Sequence, residues 1–114
     1  MKQRLIIESV VCQDFKQAIK GVIHLPKNCK EITKIVIKNN STNNICGYLT
    51  ILKENTCENV ILEQLVNSSS VNNIKFLEIN CFEQMQGSNL RYLFRKLVTD
   101  QTAEFKIYVY FNQD

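Results

Sequence analysis

Phe105-Lys106-Ile107-Tyr108-Val109-Tyr110-Phe111 is the stretch from which the fold is read. Phe105, Ile107, Val109 and Phe111 fall on one side of a period of two, with Lys106, Tyr108 and Tyr110 on the other, the pattern of a strand with one face in a core. The outer side keeps two tyrosines, which suit a half-covered sheet surface because the ring packs while the hydroxyl stays wet or bonded. Lys106, Tyr108 and Tyr110 are therefore a candidate contact surface. A second core layer explains the same letters.

Moving outward from this strand, the same period recurs. In residues 74–82, Leu77, Ile79 and Cys81 are expected to point inward, opposite Phe76, Glu78 and Asn80. Leu49 and Ile51 alternate with Tyr48, Thr50 and Leu52 behind Gly47 and the Asn-rich turn 41–44, and Ile35 and Ile37 alternate with Lys34, Val36 and Lys38. The latter run follows Pro26-Lys27-Asn28, where proline presets a turn. Residues 32–38 are expected to pair as a hairpin, through 39–44, with 46–52. Residues 5–12 and 19–25 read as two further strands, the second with Ile19, Gly21, Ile23 and Leu25 on one face. Residues 60–66 are too short to fix a period, and Ser68-Ser69-Ser70 with Asn72-Asn73 makes a loop or hairpin tip.

Residues 88–99 stay open between two readings. Leu90, Leu93, Phe94 and Leu97 have the spacing of an amphipathic helix behind a Ser88 cap, whereas Tyr92-Leu93-Phe94 is apolar and aromatic enough for a strand. As a helix it carries Arg91, Arg95 and Lys96 as a basic outer edge. Seven or so short segments, turn signals between them and no long helix favour an all-β chain, or a β-rich one with one short helix. The expected architecture is an antiparallel, jelly-roll-like β-sandwich. At 114 residues the whole chain, 1–114, fits a single domain.

Composition narrows the function. Hydrophobic residues at 45% and charged residues at 22% match a folded globular chain. No apolar run approaches the ~18 residues of a membrane-spanning helix. The basic start, Lys2 to Arg4, is followed by Glu8 where the apolar segment of a secretory signal would continue, so a cytoplasmic, reducing site of synthesis is expected. Cys12, Cys29, Cys46, Cys57 and Cys81 are an odd set without a Cys-x-x-Cys pair, which reads as buried thiols rather than a disulfide framework or zinc site. Asn39, Asn40 and Asn67 match the glycosylation pattern within Asn- and Ser-rich stretches where chance matches arise. Residues 1–57 hold nine Lys or Arg against four acids and residues 58–114 hold five against seven, +5 and −2. A basic face for nucleic acid or an acidic partner is one reading of this imbalance, and solvated lysines are the plainer one.

Catalytic options are few. His24 is the single histidine, and general-base chemistry and most zinc sites draw on histidine. No local signature supports a nucleophilic pair of His24 with Cys12 or Cys29. The carboxylate pairs Glu78/Glu83 and Glu54/Glu58 lack any sign of a desolvated pocket. Gly21, Gly47 and Gly87 make no phosphate-cradling loop. No catalytic residue, cofactor or metal is expected. For nucleic acid the nearest approach is Arg91-Tyr92-Leu93-Phe94-Arg95-Lys96, whose plainer reading is an amphipathic cover over one end of a sandwich.

Lys20-Gly21-Val22-Ile23-His24-Leu25-Pro26, followed by residues 32–38, resembles the strand, Leu-Pro turn and strand that open small jelly-roll vertex or capsid-associated proteins of viruses and phages. The resemblance covers about a fifth of the chain (residues 20–38). It implies a structural virion subunit that oligomerises, often around a symmetry axis, with no catalytic residues. The expected function is thus a non-catalytic assembly or binding module whose partners are copies of itself or other structural subunits. A nucleic-acid-associated or regulatory adaptor is the second reading, and a small cysteine-dependent enzyme the third.

Overall fold

The computed structural model describes residues 2–39, 45–54, 60–67, 76–85, 87–97 and 101–113. Alternation in the sequence resolves there into eight strands: β1 (Lys2–Cys12), β2 (Ala18–Ile23), β3 (Cys29–Lys38), β4 (Cys46–Lys53), β5 (Val60–Asn67), β6 (Leu77–Gln84), β7 (Leu90–Lys96) and β8 (Ala103–Gln113). They form two four-stranded antiparallel sheets, ordered β1-β8-β3-β6 and β2-β7-β4-β5. Only β4 and β5 are neighbours both in sequence and in a sheet; every other connection passes from one sheet to the other. This is the jelly-roll arrangement of an antiparallel sandwich. The outer strands are β1 and β6 of one sheet and β2 and β5 of the other.

Side chains from both inner faces fill the space between the sheets. Phe105, Ile107, Val109 and Phe111 of β8 are buried as the alternation requires, and they meet Ile35 and Ile37 of β3, Leu49 and Ile51 of β4, and Leu90, Tyr92 and Phe94 of β7 in one cluster. Phe94 and Phe105 touch edge to face across the gap, with ring centroids 4.9 Å apart. Leu77, Ile79 and Cys81 of β6 point toward this core and remain half-buried, because β6 is an outer strand. A Cβ on the buried Gly47 would meet the Arg95 carbonyl and stand 2.6 Å from Phe94 Cζ, so glycine is what lets β4 pass this close to β7.

Two expectations are corrected. Residues 32–38 and 46–52 do not form a hairpin. β3 is bonded on its two sides by β6 and β8, and β4 by β5 and β7, so the two strands belong to opposite sheets. Turn residues between two alternating runs mark a reversal of direction equally well within a sheet or between sheets. The helical alternative for residues 88–99 is replaced by a strand: β7 is bonded on both sides, and its residues alternate strictly between buried and exposed. Leu93 and Leu97, two members of the supposed helix stripe, are 41% and 52% exposed. Residues 60–66 are likewise strand. The turn at 41–44, the loop at 68–73, Asn40, Cys57 and Glu58 lie outside the described residues.

Candidate functional site

The antiparallel register places Leu5, Tyr110 and Lys34 side by side across β1, β8 and β3 on the outer face of their sheet. The next row is Ile7, Tyr108 and Val36, followed by Ser9, Lys106 and Lys38. The three candidate contact residues of β8 thus share one surface. They stand at the middle of a contiguous patch whose other apolar members come from the neighbouring strands. Leu5 and Ile7 are 43% and 49% exposed, and Phe76, just before β6, is 52% exposed. Val36 is buried although it faces outward. Phe76, Val36, Tyr108 and Tyr110 line a groove of about 280 Å³ with Lys34 and Glu78.

One charge on this face is paired within it, whereas Lys38 and Lys106 stand opposite each other. Lys34 Nζ lies 3.1 Å from Glu78 Oε1 and 4.3 Å from the centroid of the Tyr110 ring, so one ammonium serves an ion pair and a cation–π contact. The Thr33 hydroxyl donates to the Tyr110 carbonyl at 3.3 Å, where the pairing of β3 with β8 shifts register. The Tyr110 ring is therefore covered by the Lys34 ammonium, and both Tyr108 and Tyr110 remain half-buried.

The basic edge expected from Arg91, Arg95 and Lys96 is not one surface. In a strand, Arg91 and Arg95 face outward, but Lys96 takes the inward parity and is 2% exposed. Its ammonium donates to the carbonyls of Gln13 at 2.6 Å, Gln101 at 3.0 Å and Asp14 at 3.3 Å, which uses all three donors. Its main chain is gripped too: the Lys96 N–H donates to the Gln17 carbonyl at 2.8 Å and the Gln17 side-chain amide donates to the Lys96 carbonyl at 2.6 Å. Lys96 pins the 13–17 connection over one end of the sandwich and is removed from the list of surface cations.

The residues that a cysteine-dependent enzyme would need are also dispersed. His24 is exposed just past β2, whereas Cys12 is buried beyond the other end of that strand, with its thiol 3.6 Å from the Lys16 carbonyl. Cys29 is buried, and burial pushes its thiol up. Desolvation pushes the Cys81 thiol up as well, reinforced by the Glu83 carboxylate. Both shifts work against a reactive thiolate. Glu78 and Glu83 face opposite sides of β6 and are engaged separately, Glu83 with Lys53 at 3.1 Å. Among the described residues, no three His, Cys, Asp or Glu side chains converge as a metal site, and no helix is long and apolar enough to cross a membrane. Asn39 is buried, which closes that position to a glycan.

No protein-family model matches this chain, and no curated protein matches its sequence. Its fold does have solved counterparts. A Yersinia pseudotuberculosis-derived mitogen is similar over 97% of this chain and 88% of its own, with TM-score 0.56 and 13% sequence identity. The core of Drosophila NLP, described in connection with pentamer formation and histone binding, covers 97% of this chain and all of its own at TM-score 0.42 and 8% identity. An α-L-arabinofuranosidase, MgGH51, covers 96% of this chain with 23% of its own, at TM-score 0.42 and 11% identity. At these identities the likeness concerns the β-sandwich and nothing about what it binds.

Sequence reading missed the apolar residues that complete the face around Tyr108 and Tyr110. Phe76 carried a signal, since it shares a parity with Glu78 and Asn80, whereas the unbroken apolar run Leu5-Ile6-Ile7 gave no sign of which side faces out. What was lacking was the strand order that brings β1, β8, β3 and β6 together.

Proposed function

We propose that this chain is a non-catalytic assembly subunit that works through the outer face of its β1-β8-β3-β6 sheet. The supporting observation is the contiguous patch of Leu5, Ile7, Tyr108, Tyr110 and Phe76, exposed or half-exposed on one sheet surface. Scattered apolar residues are ordinary on a protein surface, but a contiguous patch centred on tyrosines has the make-up of an interface core, where aromatic anchors carry most of the binding. The molecule measures 43 × 30 Å along its two longer axes, room enough for the roughly 800 Å² that each partner gives to a standard interface. The occupant in this reading is a second copy or another structural subunit. Its sharpest form, supported by the resemblance of residues 20–38, is a small virion protein of the capsid, vertex or spike.

Absolute mass by light scattering, under reducing conditions and across a concentration series, tests the reading. A dimer, trimer, pentamer or larger ring is expected, and Ile7→Glu combined with Tyr108→Glu should return it to monomer with the circular-dichroism spectrum unchanged. A strict monomer at every concentration, together with no binding to the other subunits of its native particle, would remove the assembly role.

A further inference from the structure

The opposite sheet carries a second, differently built surface. On its outer face the register sets Val22 beside Arg91 and Leu52, then Lys20 beside Leu93 and Thr50, then Ala18 beside Arg95 and Tyr48. Val22, Leu93 and Leu52 form the floor of an open groove of about 510 Å³, with Lys20 and Arg91 on its rim. Leu93, Thr50 and Tyr48 continue it toward Arg95 and Glu63 as a smaller hollow of about 170 Å³. Lys20, Arg91 and Arg95 are all exposed, and among the described residues none of them is held in an ion pair. That sets them apart from Lys34 and Lys53, which are paired with glutamates, and from Lys96, whose donors end on carbonyls. Among the described residues Glu63 is an acid in the same row of this face, three strands away from Lys20.

We propose that this groove docks an extended segment of a partner protein in which two acidic residues flank a leucine-like one, in the pattern acid-x-apolar-x-acid. The spacing follows from strand geometry. Arg91, Leu93 and Arg95 occupy alternate positions of β7, so successive side chains on this face stand about 6.6–6.8 Å apart. An extended segment lying along β7 repeats its own same-side residues at that interval, which sets its apolar residue on Leu93 and its two carboxylates at Arg91 and Arg95. Lys20, directly opposite Leu93, adds positive charge beside the apolar contact. The guanidinium groups supply planar, bidentate recognition of carboxylates, and Leu93, Val22 and Leu52 supply the desolvated centre. A nucleic-acid backbone would satisfy the cations and leave the aliphatic contact at Val22, Leu52 and Leu93 unused, while Tyr92 in the groove and Tyr48 beside it are the rings on which a base would have to stack, so competition with an oligonucleotide separates the two occupants.

The test uses the whole chain and three probes: a dye-labelled peptide Ser-Glu-Thr-Leu-Thr-Glu-Ser, its counterpart with lysine in place of both glutamates, and a labelled oligothymidine. Fluorescence anisotropy should show the acidic peptide binding at least about tenfold more tightly than the basic one, with affinity falling as salt is raised. Leu93→Ser should weaken it roughly tenfold. Arg91→Glu combined with Arg95→Glu should invert the preference in favour of the basic peptide. All three positions are exposed, so thermal melts of the variants should superpose on the parent. The proposal is overturned if neither peptide binds, if both bind alike, if the double variant leaves the preference unchanged, or if unlabelled oligothymidine displaces the acidic peptide more effectively than the unlabelled peptide does.

Discussion

Replacing Lys96 by methionine keeps most of the side-chain length and leaves the carbonyls of Gln13, Asp14 and Gln101 without their donor. Because Gln13, Asp14 and Gln101 are exposed residues whose carbonyls water can partly reach, the loss falls below the roughly 1–3 kcal/mol per group of a fully buried site, and Lys96→Met is expected to lower stability by about 2–3 kcal/mol in total in urea titration. Arg91→Ala, five residues earlier on the exposed side of β7, should stay within about 0.5 kcal/mol. Equal effects would mean that the ammonium is not seated as described. A second expectation concerns alkaline pH. Burial holds Cys29 and Cys81 above the ordinary 9.0 and Tyr92 above 10.0, the last with help from the Glu8 carboxylate. A raised acid keeps its proton in the folded state at a pH where the unfolded chain has released it. The associated stability is therefore complete below the ordinary thiol value and is lost as pH rises through the folded values. The urea midpoint should be level from about pH 7 to 8 and decline above the ordinary 9.0, with Cys29→Ala and Cys81→Ala each making the decline shallower. A midpoint that rises with alkalinity would contradict this.

At the scale of the element, β7 separates what the sequence makes legible from what it does not. Leu90, Phe94 and Leu97 have helical spacing, yet the core takes Leu90, Tyr92 and Phe94 and turns Leu97 out, because a strand bonded on both sides must follow a period of two. Runs with unmixed alternation, such as Phe105 to Phe111, were readable; runs that satisfy both periods needed the neighbours to decide. Phe94→Ala is accordingly expected to destabilise by about 3–5 kcal/mol, while Leu93→Ala, its neighbour on the outer face, should change stability little. Comparable losses at both positions would favour the helical reading. The mistaken hairpin has a related origin, since the choice between closing within a sheet and crossing between sheets lies in which strands occupy the flanks of β3 and β4. The candidate site was legible to the same extent. Tyr108 and Tyr110 were identified from their own strand, whereas Lys96 was assigned to the wrong face because its parity depends on the period chosen for β7.

For the whole molecule, the sandwich turns two unlike faces outward. One is apolar and aromatic around Tyr108 and Tyr110, and the other is apolar with Lys20, Arg91 and Arg95 around it, so the two proposed contacts can be tested independently of each other. The order of strands has one more result. β1 runs antiparallel to β8 along its full length, with Lys2 opposite Gln113. The two ends of the described chain therefore leave from one corner of the molecule, about 5 Å apart, the separation of directly opposed residues in an antiparallel pair. Such a domain behaves as a cassette: spliced into a surface turn of a host protein, it would hold the two cut ends as close together as the turn had kept them, and the host would not need to open to carry it.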